Sequence, residues 1–357
     1  MLRQMLNSTA CLLCLALAFC CGSVRAAEPV EPLRIHAWVG YFPSWLVAGF
    51  TEETGIPVTQ SFFADNNALY RAVTEETAFR RYDLITPSAE MAQRLIGEGL
   101  LLPVDKKIAP RAGAVDPWFL ELAYDPGARY SVPLFWGVLG LCLDKAVLPP
   151  EVALRIKGYK DLWLPELKGL IMLPNDFRSL MSVMLLSLGY SVNDGNAGRL
   201  EEAYARLESL APSVQIYDTV DQEESMARNN TGVGVVWARA FYGTGESERF
   251  SFIFPSEGSP AWIDTMAVPA SAERPEQAFQ FIDYVLRPEV LARLASEAGW
   301  AITVPEARER LDETVRNNPV LYPPLELRRS FEAELMLPGA ADALEKRWRR
   351  LKLGFVE

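Results

Sequence analysis

Residues 33–63, "LRIHAWVGYFPSWLVAGFTEETGIPVTQSFF", decide the architecture. "LRIHAWV" reads as a short buried strand. Pro43 then opens a helix through "SWLVAGFTEETG" that closes at Gly55, and "IPVTQSFF" is a second strand. The unit repeats at once: "NNALYRAVTEETA" is helical, "YDLITPS" extended, and "AEMAQRLIGEG" helical again, closing on glycines. Strands alternating with helices of about 10–15 residues predict an α/β fold, with a parallel sheet covered by helices on both faces. Such sheets bind ligands beyond the carboxyl ends of their strands. Trp38–Tyr41 and Pro87–Ser88 occupy such ends, which makes both segments pocket candidates.

Further along, "YSVPLFWGVLGLCLDK" (130–145) is a long apolar extended run, suited to carrying the chain from one lobe into another. The pattern then restarts. Strands are predicted in "GLIMLPND", "VQIYD" and "TGVGVVWARAF", and helices in "FRSLMSVMLLSLG" and "GRLEEAYARLESLAP". "FSFIFPSEGSPAWIDTMAVP" is extended, helices follow at 275–286 and 288–298, and a polar, helix-rich tail ends the chain. No internal repeat or low-complexity tract interrupts this order.

The first 26 residues fall outside that pattern. An early arginine, an apolar run from Ala10 to Cys21 and a small-residue end at Ala26 give the layout of a cleaved signal peptide. The run is too short for a comfortable transmembrane helix. A lipoprotein reading is weaker, because Phe19 precedes Cys20 where a small residue is wanted. Cleavage removes four of the five cysteines and leaves Cys142 in an apolar run, a small buried hydrophobe. No internal disulfide is then possible, so stability must come from hydrophobic cores, which a half-apolar chain of this length supplies most simply as two lobes. Losing Arg3 and Arg25 but no acid moves the net charge from -11 to -13. Such a chain repels nucleic acid and anionic lipid, and attracts cations.

Several chemistries lack their side chains. His36 is the only histidine, which removes histidine zinc clusters and leaves little scope for a histidine-based triad; it reads as a structural strand residue. No phosphate-binding glycine loop, dinucleotide fingerprint or G-x-S-x-G elbow occurs. Carboxylates are plentiful, but no pair is marked as acid and base. The expectation is a protein that is not an enzyme and needs neither cofactor nor metal.

What remains is aromatic residues beside acids at strand ends, in "WVGY" (38–41), "VVWARAF" (235–241) and "AWIDTMAVP" (261–269). A tryptophan face attracts a cation by about 0.5–1 kcal/mol when exposed and about 2 kcal/mol when desolvated. A neighbouring carboxylate adds countercharge and a strong hydrogen bond. The combination suits an alkylammonium ligand. A single tryptophan is more often core, but an aspartate between strand apolars, as in "WID", is costly to bury unpaired.

With "F-x-x-E-T-G-I-x-V" (50–58), "YDLITPS", "YSVPLFWG", "DLWLPELKG" (161–169), "WIDTMAVP" and "FIDYVLRPEV" (281–290) in this order, the chain resembles the bacterial periplasmic spermidine/putrescine-binding proteins of ABC importers, from about Leu33 to Gly354. The resemblance implies a two-lobed periplasmic binding protein of type II, with crossover hinge strands and an interlobe ligand cleft. The expected lobes are 31–138 plus 263–310 and 139–262 plus 311–357. It further implies a periplasmic monomer that captures a polyamine or related small amine and hands it to a membrane permease. The rival reading is a sensor presenting its ligand to a membrane signalling receptor. Trp38, Tyr41, Trp237 and Trp262 match the family's aromatic box, and Trp300 stands where tyrosine is common. Asp264 and Asp176 match amine-gripping acids, and Ser88 matches a ligand-orienting serine. Glu90 replaces a frequent aromatic, and Glu334 falls at an amide position.

The departures concern charge. Val39 and Gly40 occupy positions where the family carries a hydroxyl and an acid, and Ser179 stands for a second carboxylate. Arg239 follows Trp237 where an acid can occur; it is either a surface or salt-bridged residue, paired with Asp264 or Glu257, or it enters the cleft and welcomes a carboxylate. Ordinary putrescine or spermidine is then expected to bind poorly unless Glu90 or Glu334 substitutes for the lost acids, and the ligand expected is a different polyamine, a modified one, or a molecule with amine and carboxylate ends.

Overall fold

The computed structural model describes residues 31–75, 81–241 and 249–353, so the signal-peptide reading of 1–26 lies outside the described residues. The leading unit forms as the sequence predicts. β1 (Leu33–Trp38) pairs in parallel with β2 (Val58–Phe63) and with β3 (Leu84–Ile85). The helices Ser44–Thr54, Asn66–Thr74 and Ala89–Gly97 connect and follow them. β3 has two residues only, because the chain turns at Thr86-Pro87, and proline gives no N–H to a ladder.

β4 (Ser131–Asp144) is the spine of the molecule. Its first half, Ser131–Val138, pairs antiparallel with β9 (Ser259–Ala267), and its second half, Leu139–Leu143, pairs antiparallel with β7 (Val233–Trp237). β5 (Ile171–Leu173) and β6 (Val214–Tyr217) extend the β7 side in parallel. β8 (Phe250–Ile253), β10 (Ala301–Ile302) and β11 (Phe331–Ala333) attach to β4, β4 and β9. The resulting strand order is β2-β1-β3-β9-β4-β7-β5-β6. This is the α/β architecture, built about one crossover strand, that the resemblance implies.

Two large apolar cores flank the middle of β4, and the chain passes between them from Val138 to Leu139. The first gathers Leu33, Phe50, Phe135, Phe281 and Leu291, and also takes Leu311, Leu321, Tyr322, Phe331 and Ala333 from the tail. The second gathers Tyr159, Leu180, Tyr204 and Val235, and is closed by Ala341, Leu344 and Trp348 of the helix Ala340–Leu353. Cys142 is fully buried beside Met172 and Met226, and burial raises its thiol pKa well above the ordinary value. His36 is a strand residue, with Nδ1 2.8 Å from the Ser61 hydroxyl and its ring stacked on Tyr82.

Three local expectations change. "TGVGVVWARAF" is a strand only to Trp237, where the backbone tightens into a 3₁₀ turn at Ala238–Phe241. The stretch 222–229, which carried no predicted element, is a helix, Gln222–Asn229. The tail contains a strand, β11, because its backbone finds the open edge of β9 at Ser259–Ala261. Among the described residues no helix is long and apolar enough to cross a membrane.

Candidate functional site

The carboxyl ends of β1, β2 and β7 open into one cleft of about 1050 Å³. Its wall includes seven of the sequence-predicted residues: Trp38, Tyr41, Asp176, Trp237, Trp262, Asp264 and Trp300. The elements of the first core supply Trp38, Tyr41, Trp262, Asp264 and Trp300, while the second core's elements supply Asp176 and Trp237. Main-chain topology therefore converges aromatic rings and acids from both sides of the β4 crossover.

Each group is held by identifiable contacts. Tyr41 donates its hydroxyl hydrogen to Asp264 across 223 residues of sequence, and its ring lies 4.8 Å from Trp300. Asp264 is 9% exposed on β9; burial lifts its pKa to about 7, and the Tyr41 hydrogen bond opposes the rise. The same burial, with the Asp264 charge beside it, raises the Tyr41 phenol well above its usual value. Trp262 lies against β4 where Gly137 is its register partner, and a Cβ at 137 would meet the indole Nε1 at 2.6 Å. Only glycine leaves that ring in place. Trp237 has its backbone N–H accepted by the buried Gln222 Oε1 at 2.9 Å. Trp38 packs on Phe63 at 4.4 Å, and its buried indole N–H faces Asp264, where with Tyr41 it opposes the rise of that carboxyl's pKa.

Asp176 caps the helix Phe177–Ser187, its Oδ1 accepting the Ser179 N–H at 2.8 Å, while the residue as a whole is exposed to the cleft. Ser88, Glu90 and Glu334 do not line this cavity. Ser88 is committed as the N-cap of the helix Ala89–Gly97, accepting from Met91 N at 3.3 Å and from the Asn66 side chain at 2.8 Å. Glu90 and Glu334 sit together in an adjoining acidic cluster around Arg178. The Arg178 guanidinium reaches the Leu335 carbonyl, Ser182 and Asn193, and Glu334 accepts from Ser182 at 2.7 Å. Burial raises the pKa of both glutamates, Glu334 to about 7; Arg178 opposes the rise and the Asp176 charge adds to it.

Arg239 lies in the cleft and pairs with neither Asp264 nor Glu257. Glu257 instead accepts from the Lys160 N–H and from Ser256. Desolvation lowers the Arg239 pKa from its ordinary value. Val39 is exposed on the rim, and Gly40 turns the chain at φ 85°, a left-handed conformation that disfavours any side chain although the space beside it is open.

Phe63, Asp221 and Gln222 line the cleft without having been singled out from the sequence. Phe63 ends β2 next to Trp38, so the strand-end rule applied to β2 would have found it. Asp221 and Gln222 begin a helix that the pattern did not reveal. Among the described residues no group of three or more His, Cys, Asp or Glu is arranged to hold a metal ion.

The family model of bacterial extracellular solute-binding proteins matches residues 45–322. The spermidine/putrescine-binding periplasmic protein of Salmonella typhimurium is 30% identical over 333 residues, covering 93% of this chain and 94% of that protein. The putrescine-binding periplasmic protein PotF of Escherichia coli is 28% identical, covering 92% and 93%. The crystal structure of the spermidine/putrescine ABC transporter substrate-binding protein PotD from Streptococcus pneumoniae superposes with a TM-score of 0.78 at 29% identity, covering 90% of this chain and 99% of that one. The chain belongs to the bacterial extracellular solute-binding protein family and is a homologue of the spermidine/putrescine-binding periplasmic proteins.

Proposed function

We propose that this protein is exported to the periplasm by its first 26 residues and captures a small organic amine in the cleft. It then delivers the amine to the membrane permease of an ABC importer. One observation carries the reading: aromatic rings and carboxylates from the two cores face a common cavity. Asp264 and Asp176 are the ammonium partners, and Trp38, Trp237, Trp262 and Trp300 stack on the methylene chain.

The lobes are 31–138 plus 263–333 and 139–262 plus 334–357; the boundary expected at 310/311 moves because Leu311, Leu321, Tyr322, Phe331 and Ala333 pack in the first core, while Ala341, Leu344 and Trp348 pack in the second. Ligand contacts from both lobes are complete only when the cleft closes, so binding shifts the population to the closed form. The outer faces of the two lobes then dock on the permease. No cofactor enters this cycle, and a monomer suffices for it.

The test is calorimetric titration of the ligand-stripped mature protein with putrescine, cadaverine, spermidine, norspermidine, agmatine and 4-aminobutanoate. Micromolar or tighter binding of at least one, weakened about 30-fold or more by Asp264→Ala (about 2 kcal/mol), is expected. No heat from any of the six would sink the proposal.

A further inference from the structure

The amine reading leaves one cleft residue without a task. Arg239 stands on the turn after β7, and its guanidinium lies 5.1 Å from the centre of the Trp300 ring. Its one hydrogen bond among the described residues runs from Nε to the Ala298 carbonyl at 3.3 Å, and neither terminal nitrogen donates to a described residue. No carboxylate in the described structure forms an ion pair with it. The nearby acids are committed elsewhere: Asp264 to Tyr41, and Glu297 to Trp45 and Arg293.

Other features point the same way. The rim loop carries Val39 and Gly40, so it offers no acid for a second ammonium. The Arg239 terminal nitrogens are thus donors in the cleft with no acceptor among the described residues. Asp176 and Asp221, on the second core's side, supply the opposite charge.

We infer that the ligand is a zwitterion: an amine held by the cleft aspartates, a short methylene span between the tryptophans, and a carboxylate received by the Arg239 fork. The planar guanidinium matches a carboxylate through two parallel hydrogen bonds, whereas a diamine or triamine would bring a second cation against it. This rests on the amine-binding reading and narrows it to ω-amino carboxylates.

The experiment compares 4-aminobutanoate, 5-aminopentanoate and 6-aminohexanoate with putrescine and cadaverine, by calorimetry on wild-type protein and on Arg239→Gln and Arg239→Lys. The expected result is that one amino carboxylate binds at least 10-fold more tightly than either diamine. Arg239→Gln then loses 30-fold or more of that affinity, Arg239→Lys loses less, and the unliganded melting temperatures agree because Arg239 is exposed. If a diamine binds more tightly than every amino carboxylate and Arg239→Gln leaves or improves its affinity, the zwitterion inference is overturned while the amine reading stands. If none of these five binds while spermidine, norspermidine or agmatine does, the zwitterion inference falls and the amine reading stands; if those three are silent as well, both fall.

Discussion

At the scale of single residues, the cleft's behaviour turns on Asp264. An aspartate in an unfolded chain titrates near pH 3.9, and in the folded protein this one titrates at about 7. Between those values the native state holds a proton that the unfolded state has released, so Asp264 costs progressively more stability as pH rises from about 4 to about 7. The full cost, on the order of 4 kcal/mol, persists above that window. Asp264→Asn keeps an acceptor for Tyr41 and removes the charge. Its unliganded form should melt higher than wild type at pH 8, with the gap vanishing near pH 4; scanning calorimetry across that range checks it. A gap that does not change with pH would mean that the carboxylate is already well solvated. The ammonium of a ligand favours the ionised form, so binding at pH 6 should release a proton, visible as buffer-dependent heat.

At the scale of elements, the β4–β9 pair is what aims the aromatic wall. Glycine at 137 lets the Trp262 indole lie across β4, and a Cβ there would stand 2.6 Å from Nε1. Gly137→Val is expected to push the ring off the strand at a cost of about 1–3 kcal/mol of stability, and to weaken ligand binding 10-fold or more. Tryptophan fluorescence with denaturant unfolding reads both effects. Unchanged affinity would show that Trp262 is a bystander. Helix capping illustrates how elements compete with sites for polar side chains. Ser88 and Asp176 both cap helices, but the first is saturated by Met91 and Asn66 while the second keeps its exposure to the cleft. A cap satisfies a backbone N–H that would otherwise lack a partner, so a polar residue at a strand-to-helix turn has local work before any ligand arrives.

At the scale of the whole molecule, two valines mark the rims. Val39, 72% exposed, stands on the β1 side of the cleft, and Val220, 85% exposed, on the opposite side before the helix Gln222–Asn229. Exposed apolar residues on both lips of a roomy cleft are surface that closure can remove from water. Complete burial of a valine favours the closed state by roughly 1.5 kcal/mol. The double variant Val39→Glu/Val220→Glu replaces that gain with like-charge repulsion. It should weaken ligand binding at least 10-fold while leaving the unliganded melting temperature within about 1–2 °C. Small-angle scattering should also show less compaction on adding ligand than in wild type. Equal compaction in both would remove the rims from the closing contact.

Alternating strand and helix signals over 33–100 determined the α/β class, because hydrophobic period and turn residues act locally and leave their mark in the chain. The long apolar run at 130–145 likewise announced the crossover, and the aromatic strand ends announced the wall. Tertiary structure alone decided which charges meet there. Tyr41 and Asp264 are 223 residues apart, and their contact exists because β1, β3 and β9 are neighbours in one sheet. Glu90 and Glu334, equivalent on paper to the other acids, are drawn into the Arg178 cluster, and Arg239 is left facing the cavity. Periodicity reports which face of an element is apolar, but the direction and partners of a charged side chain depend on what distant strands bring beside it.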